Sequence, residues 1–201
     1  MAENWDATLQ NCILAAGQGD AGAQYNLALK YHGGIGVKQD FAEAARWYTK
    51  SAEQGSLKAQ YNLGVMYYEG QGVAQSYTQA MRWFMESAEQ GDAKAEYNLG
   101  LMHHNGEGVA QDYANAMHWY KKSAEKGNAE AQFSLASMYY NGEGVTQNHI
   151  LVYMWLTVAA TNGKENAVKG RDLLAKEMTT EQINQAQSRA QRCMASNYTD
   201  C

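Results

Sequence analysis

Apolar residues recur at helical spacing in two successive blocks around residues 57–89. In the first block, Ala59, Leu63 and Met66 fall on one face of a helix that the pattern predicts over 57–68. A glycine-rich loop follows, which suits the left-handed conformation that ends many helices. The second block predicts another apolar face, formed by Ala80, Trp83, Phe84, Ser87 and Ala88. Two amphipathic helices in succession predict a helical hairpin.

This hairpin pattern occurs four times with a period of 36 residues. A fixed period in this range is typical of stacked supersecondary units that share one continuous core. The sequence therefore predicts an all-α fold, an α-solenoid of helix pairs in one array rather than two globular domains. The predicted boundaries are an N-terminal capping half-repeat at 1–19, full repeats at 20–55, 56–91, 92–127 and 128–163, and C-terminal capping helices with a tail at 164–201.

Residues suited to capping occur at the predicted start of each second helix. They can accept hydrogen bonds from the free backbone N–H groups there. Their positions are Asp40, Ser76, Asp112 and Asn148. Near the C-terminus, Thr179 and Gln182 have the spacing of a capping box, which predicts that a last helix begins at this point.

Small residues recur inside the first helices, at Gly64 and Gly100, although glycine there costs about 1 kcal/mol relative to alanine. Ala28 and Ala136 hold the same position in the outer repeats. The second helices carry large residues at a matching period, at Trp47, Trp83, Trp119 and Trp155. Because small positions facing large ones let layers interdigitate, we expect these tryptophans to pack against the small positions.

The repeated motif resembles the Sel-one-like repeat family, a relative of the tetratricopeptide repeats. The segments that carry the resemblance are AQYNLGVMYYEGQGV at Ala59–Val73 and AMRWFMESAEQG at Ala80–Gly91. The match covers four units and both caps. One departure is the residue after the loop valine, where the family often has proline and this chain has Lys38, Ala74, Ala110 and Thr146.

The resemblance implies a right-handed α-solenoid and a non-enzymatic protein–protein adaptor, often in bacterial signalling, envelope maintenance or host interaction. It implies no particular partner, and we expect a monomer. Two alternatives stay open: a cell-envelope enzyme of the β-lactamase-like, cysteine-rich repeat type, and a structural subunit of an oligomer. The cysteine-rich relatives carry a cysteine pair in each repeat, which this chain lacks, so their activity is not transferred to it.

Charge and hydropathy narrow the class of partner. The chain has 201 residues with 16 Lys plus Arg and 21 Asp plus Glu, a formal net charge of −5. Proteins that bind nucleic acids or anionic membranes usually carry an excess of Lys and Arg over Asp and Glu. This chain has no such excess. Its longest apolar stretch, at 150–160, is about half of what a bilayer-spanning helix needs. We therefore expect a protein or peptide partner, no nucleic acid and no membrane insertion.

No constellation of catalytic residues stands out in the sequence. The repeated Gly-x-Gly triplets follow helices rather than strands, which indicates turns rather than phosphate-binding loops. His103 and His104 are adjacent on one helix and so diverge by about 100°, and no cluster has metal-ligand spacing. We predict no catalytic residue, no metal site and no cofactor.

The non-core face of each first helix carries aromatic, asparagine and aliphatic side chains at the repeat phase. One side of such a helix must face solvent, and tyrosine and asparagine suit contacts with a peptide. We predict a concave peptide-binding groove formed by Tyr25, Asn26, Leu29, His32, Tyr61, Asn62, Val65, Tyr68, Tyr97, Asn98, Leu101, His104, Phe133 and Tyr140. The alternative is that the tyrosines and asparagines hold neighbouring repeats together.

The three cysteines bear on the compartment. Cys12 shares the phase of the core residues Tyr48 and Phe84, so we expect a buried thiol. Cys193 and Cys201 form either a disulfide, which favours an oxidising compartment, or two free thiols in a frayed tail. The N-terminal segment MAENWDATLQNC does not have the pattern of a signal peptide. The protein is therefore either periplasmic or secreted with its signal peptide removed, which we favour, or cytoplasmic.

Overall fold

A computed structural model describes residues 2–201, with side chains from Leu9 onward; Met1, the first residue of the predicted N-terminal cap, lies outside the described residues. The elements are α1 (Ala2–Gly17), α2 (Ala21–Gly33), α3 (Phe41–Glu53), α4 (Leu57–Glu69), α5 (Tyr77–Glu89), α6 (Ala93–Asn105), α7 (Tyr113–Ala124), α8 (Ala129–Asn141), α9 (His149–Thr161), α10 (Glu165–Leu174), a short 3₁₀ helix (Ala175–Glu177) and α11 (Thr180–Ala195). All regular secondary structure in these residues is helical, which confirms the predicted all-α class.

The chain divides into two compact units, Met1–Asp92 and Ala93–Cys201. In the first unit α1 packs on α2, and the hairpins α2–α3 and α4–α5 pack one after the other. In the second unit the hairpins are α6–α7 and α8–α9, and α9 also contacts α10 and α11. Each hairpin comes from one sequence repeat. None of the described helices combines the length and apolar character that crossing a bilayer requires.

The predicted helix-capping residues are confirmed. Backbone N–H groups in the first turn of each second helix donate to the side chains of Asp40, Ser76, Asp112 and Asn148. Thr179 and Gln182 form the reciprocal bonds of a capping box at the start of α11. These bonds satisfy backbone donors that have no partner inside the helix.

The small positions of the first helices face the residue that follows the tryptophan. A Cβ atom at Gly64 would lie 2.7 Å from the ring of Phe84, and one at Gly100 would lie 2.5 Å from the ring of Tyr120. The expected packing against tryptophan was wrong, because Trp83 precedes Phe84 by one residue and is rotated by about 100° around α5. At Gly64 and Gly100 an aromatic ring thus occupies the space that a side chain would take.

Hydrogen bonds of polar side chains, several of them buried, link the helices at regular intervals. Ser51 Oγ donates to the carbonyl of Ala21 at 2.8 Å, and Gln54 Nε2 donates to Gln24 Oε1 at 2.7 Å. Gln24 Nε2 in turn donates to the carbonyl of Ala16 at 3.1 Å. The equivalent bonds are Ser87–Leu57, Gln90–Gln60 and Gln60–Ala52 in the first unit, and Ser123–Ala93, Lys126–Glu96, Asn162–Gln132 and Gln132–Ala124 in the second. The ladder satisfies polar groups that burial would otherwise penalise.

In the second and fourth repeats, the second glycine of the loop allows close contact with the preceding repeat. Gly72 has φ +69°, and a Cβ atom there would overlap the backbone of Phe41 at the start of α3. Gly144 has φ +70°, and a Cβ atom there would lie 2.8 Å from Tyr113 Cβ at the start of α7. Both the left-handed backbone and the close approach favour glycine.

Candidate functional site

The predicted groove residues lie on α2 and α4 in the first unit and on α6 and α8 in the second. Three tyrosines among them make ring contacts with the second helix of the same repeat. The ring centroids are separated by 5.9 Å for Tyr25–Tyr48, 6.0 Å for Tyr61–Phe84 and 5.8 Å for Tyr97–Tyr120. The first-helix tyrosine of each pair is half-buried, so part of its ring packs inward and part stays accessible.

A second aromatic contact lies near the end of each first helix. The centroid separations are 5.2 Å for His32–Phe41, 5.3 Å for Tyr68–Tyr77, 5.3 Å for His104–Tyr113 and 6.3 Å for Tyr140–His149. The partner in each pair is the first residue of a second helix. Sequence reasoning missed these partners, although an aromatic residue directly after the capping residue in all four repeats was the available signal.

The Asn62 side chain is hydrogen-bonded to the hydroxyl of Tyr48 in the preceding repeat. Burial raises the pKa of Tyr48 to about 12, and Tyr25 adds to this increase, whereas the Asn62 bond opposes it. The bond supports the alternative that this asparagine holds neighbouring repeats together.

Ser134 occupies the same repeat position in the second unit and bonds to the hydroxyls of Tyr97 and Tyr120. Burial is the main cause that raises the pKa of both tyrosines. The polar residue at this position therefore contacts tyrosine hydroxyls in both units.

The remaining predicted positions differ in exposure. Leu29 is 37% exposed and Tyr140 is 52% exposed, and Asn26 is also exposed. The half-buried predicted residues are His32, Asn62, Val65, Tyr68, Asn98, Leu101, His104 and Phe133. Leu29 and Tyr140 thus present the most apolar surface among the predicted groove residues.

An open apolar cleft of about 280 Å³ lies in the second unit, where α8, α9 and α10 meet. Phe133 and Tyr140 contribute from α8, and Leu173 contributes from α10 with 62% of its surface exposed. The other lining residues are Ala136, Ser137, Val152, Leu156, Asn166, Gly170, Leu174 and Glu177. The sequence did not predict that α10 lines this cleft, because this helix lies outside the four full repeats.

The two adjacent histidines have different surroundings. His104 Nε2 lies 3.0 Å from Glu143 Oε2 in the loop of the next repeat. Burial lowers the pKa of His103, and the nearby Asp112 opposes the decrease. Among the described side chains, no group of three or more His, Cys, Asp or Glu residues is arranged to hold a metal ion.

The C-terminal tail folds back onto the second unit. Cys193 and Cys201 form a disulfide with a Cα–Cα distance of 4.6 Å. Tyr198 lies between them, and its hydroxyl donates to Asn162 Oδ1 at 2.9 Å. Cys12, by contrast, is a free thiol and only half-buried, so the expectation of a buried thiol was wrong.

Comparison with protein families gives four matches to the Sel1 repeat, at residues 21–56, 57–92, 93–128 and 129–164. The chain belongs to the Sel1 repeat family. Each matched segment covers one helical hairpin. Each also begins and ends one residue later than the corresponding predicted repeat.

Two solved Sel1-repeat structures are similar over most of this chain. The protective antigen c5321 of uropathogenic Escherichia coli, which has an SLR fold, is 38% identical with a TM-score of 0.80, covering 92% of this chain and 39% of that one. A Sel1 repeat protein from Oxalobacter formigenes is 37% identical with a TM-score of 0.76, covering 81% of this chain and 65% of that one.

Two further proteins share less with this Sel1-repeat chain. A sel1-like repeat-containing protein, L18, of Acanthamoeba polyphaga mimivirus is 48% identical over 44 residues, which is 22% of this chain and 8% of that protein. The immunity protein Pa5087 of Pseudomonas aeruginosa is 20% identical with a TM-score of 0.53, covering 96% of this chain and 73% of that one, and shares the fold. The chain spans less than two thirds of c5321, of the Oxalobacter protein and of L18.

Sel1-repeat proteins are generally protein-interaction scaffolds and are typically non-enzymatic. Family membership therefore supports the interaction class that the sequence predicts.

Proposed function

We propose that this Sel1-repeat chain is a non-enzymatic scaffold that binds a peptide or protein segment on the solvent-facing side of its first helices. The observation that supports this most directly is the apolar surface left accessible there, with Leu29 37% and Tyr140 52% exposed. Aromatic side chains are enriched where protein surfaces make contact. The open cleft beside Phe133 adds a concave feature to the same face of α8.

The half-buried aromatic residues suit this role because their rings are already held in place. Tyr61 packs on Phe84, and His32 packs on Phe41, within the same repeat. A side chain that is ordered before binding loses less conformational entropy when a partner binds. The face therefore combines accessible apolar area with a low cost of ordering.

Affinity capture from an extract of the native organism tests the proposal with two matched double variants. Leu29→Ser with Tyr140→Ser removes exposed apolar residues from the first-helix faces. Leu14→Ser with Ile35→Ser removes residues that are 62% and 53% exposed but lie on α1 and in a loop. We expect the amount of partner captured by the first variant to fall by about tenfold or more relative to wild type, the scale of interface hot spots. The second variant should capture as much partner as wild type.

Equal retention by both variants would contradict the proposal, provided that their circular dichroism and melting temperatures match those of wild type. Light scattering over a range of protein concentrations gives an independent check. Self-association that only the first variant loses would instead indicate a subunit of a homo-oligomer.

A further inference from the structure

The cleft of the second unit has an apolar floor and a polar rim. Val152 and Leu156 from α9 and Leu174 from α10 are buried at its base. Three polar residues also line it: Ser137 on α8, Asn166 on α10 and Glu177 in the 3₁₀ helix. A partner that fills the cleft therefore meets hydrocarbon at the base and hydrogen-bonding groups at the edge.

The size of the cleft limits what it can hold. Sites for cofactors and drug-sized ligands usually have volumes of about 300–1,000 Å³, and this cleft has about 280 Å³. Such a volume suits one large apolar side chain inserted from a longer segment. Side chains that anchor protein interfaces commonly fill pockets of this kind.

One carboxylate at the rim of the cleft can pair with a cation beside that side chain. Glu130 pairs with Lys164, and Asp172 pairs with Arg171. Glu177, the charged residue that lines the cleft, takes part in no ion pair within the described part of the chain. A lysine or arginine of a partner is complementary to this carboxylate.

We infer that this cleft binds a partner segment in which a large aliphatic side chain is followed directly by a lysine or arginine. The aliphatic side chain inserts between α8 and α10, and the cation pairs with Glu177. Asn166 supplies both an amide donor and an acceptor, which suits the backbone of an extended segment. The inference rests on the proposed scaffold function and specifies the partner chemistry of one of its sites.

Short synthetic peptides test this with the full chain. Each peptide has serine and glycine ends and a central pair, Leu-Lys, Leu-Glu or Ala-Lys, and binding is followed by amide chemical shifts in NMR. We expect the Leu-Lys peptide to shift the amides of Ser137, Gly170 and Leu173. The Ala-Lys peptide should bind about tenfold more weakly because it buries less apolar surface. The Leu-Glu peptide should bind about threefold more weakly, the scale of an exposed ion pair.

Two variants and one control assign these effects to the cleft. Glu177→Lys should reverse the order of the Leu-Lys and Leu-Glu peptides, because it reverses the charge at the rim. Leu173→Ser should weaken the Leu-Lys peptide about threefold or more, since it removes apolar contact area. Val168→Ser, at an exposed apolar residue of α10 outside the cleft, should leave its affinity unchanged.

The absence of peptide binding, or equal binding of all three peptides, would overturn the inference. Cleft amide shifts that depend on protein concentration without peptide would do so too, because a second copy would then be the occupant. Peptide-induced shifts around Leu29 with none at the cleft would overturn this inference and keep the scaffold proposal. If the peptides bind the cleft but the Leu29→Ser with Tyr140→Ser variant captures as much partner from the extract as wild type does, the scaffold proposal is the one contradicted.

Discussion

Lys126 Nζ lies 2.6 Å from Glu96 Oε1, at the repeat position where Gln90 Nε2 lies 2.7 Å from Gln60 Oε1. The third repeat thus has a charged pair where the second has a neutral one. The Glu96 side chain is 2% exposed and that of Lys126 is 40% exposed. Glu96 Oε2 has no hydrogen-bond partner among the described residues, so the lysine provides the neutralising charge for a buried carboxylate.

Lys126→Ala should therefore destabilise the protein more than an ordinary surface substitution does. Removing one member of a fully buried pair costs about 3–5 kcal/mol. Because Lys126 is partly exposed, we expect a smaller loss of about 1–3 kcal/mol, measured by urea unfolding. The double variant Glu96→Gln with Lys126→Gln copies the neutral pair and should stay within about 1 kcal/mol of wild type. A loss for Lys126→Ala no larger than that for Lys38→Ala in an exposed loop would disprove this.

Gly100→Ala should destabilise the second unit although alanine is the better helix former. The helix propensity favours alanine by about 1 kcal/mol, but the new Cβ atom would lie 2.5 Å from the Tyr120 ring. We expect overpacking to prevail, with a net loss of about 1–3 kcal/mol in denaturant unfolding. Gly170→Ala is the matched control, since its Cβ atom would lie 3.5 Å from Leu156, an ordinary contact. Stabilisation by both substitutions would show that the Tyr120 ring moves aside freely.

Trp83→Ala should cost about 3–5 kcal/mol, the range for truncating a large buried aromatic residue. Trp83 is 4% exposed within the core of the first unit. Trp119 holds the same repeat position in the second unit but is half-buried, with Lys122 Nζ 4.8 Å from its ring centroid. Trp119→Ala should therefore cost less. Thermal melts of the two variants decide this, and equal shifts would count against the difference in burial.

Alkaline pH should weaken the protein through Tyr48. Its folded-state pKa is raised from 10.0 to about 12, chiefly by burial, so the native state holds this proton more tightly than the unfolded chain does. The resulting stability is complete below pH 10 and declines as the pH rises from about 10 to about 12. We expect Tyr48→Phe to show a shallower decline than wild type in melts over this range. Parallel pH profiles would indicate that Tyr48 ionises normally.

Much of the fold follows from the sequence because helix ends are local features. The first helix of the second repeat was predicted over 57–68, and α4 spans Leu57–Glu69. The capping box at Thr179 depends on residues only three positions apart, so the sequence contains all the information it needs. Periodicity then identified which segments form pairs.

The contacts between helices were harder to predict. Phe84 lies opposite Gly64, where Trp83 was expected. The two residues are adjacent in sequence and both are buried, so apolar periodicity does not show which of them faces Gly64. The bond from Gln54 to Gln24 joins residues 30 positions apart, and glutamine in a helix is normally read as solvent-facing. The cleft depends on α10, whose sequence diverges from the full repeats.

The distribution of bonds within and between repeats also bears on how such a chain can grow. The bonds Ser51–Ala21 and Gln54–Gln24 close within one repeat, whereas Gln60–Ala52 and the contact of Gly72 with Phe41 join one repeat to the one before it. A 36-residue segment copied in frame by recombination would carry the residues that form its internal bonds. It would also carry the residues that contact the repeat before it and the repeat after it. The array can therefore lengthen or shorten by whole repeats without compensating substitutions elsewhere in the gene.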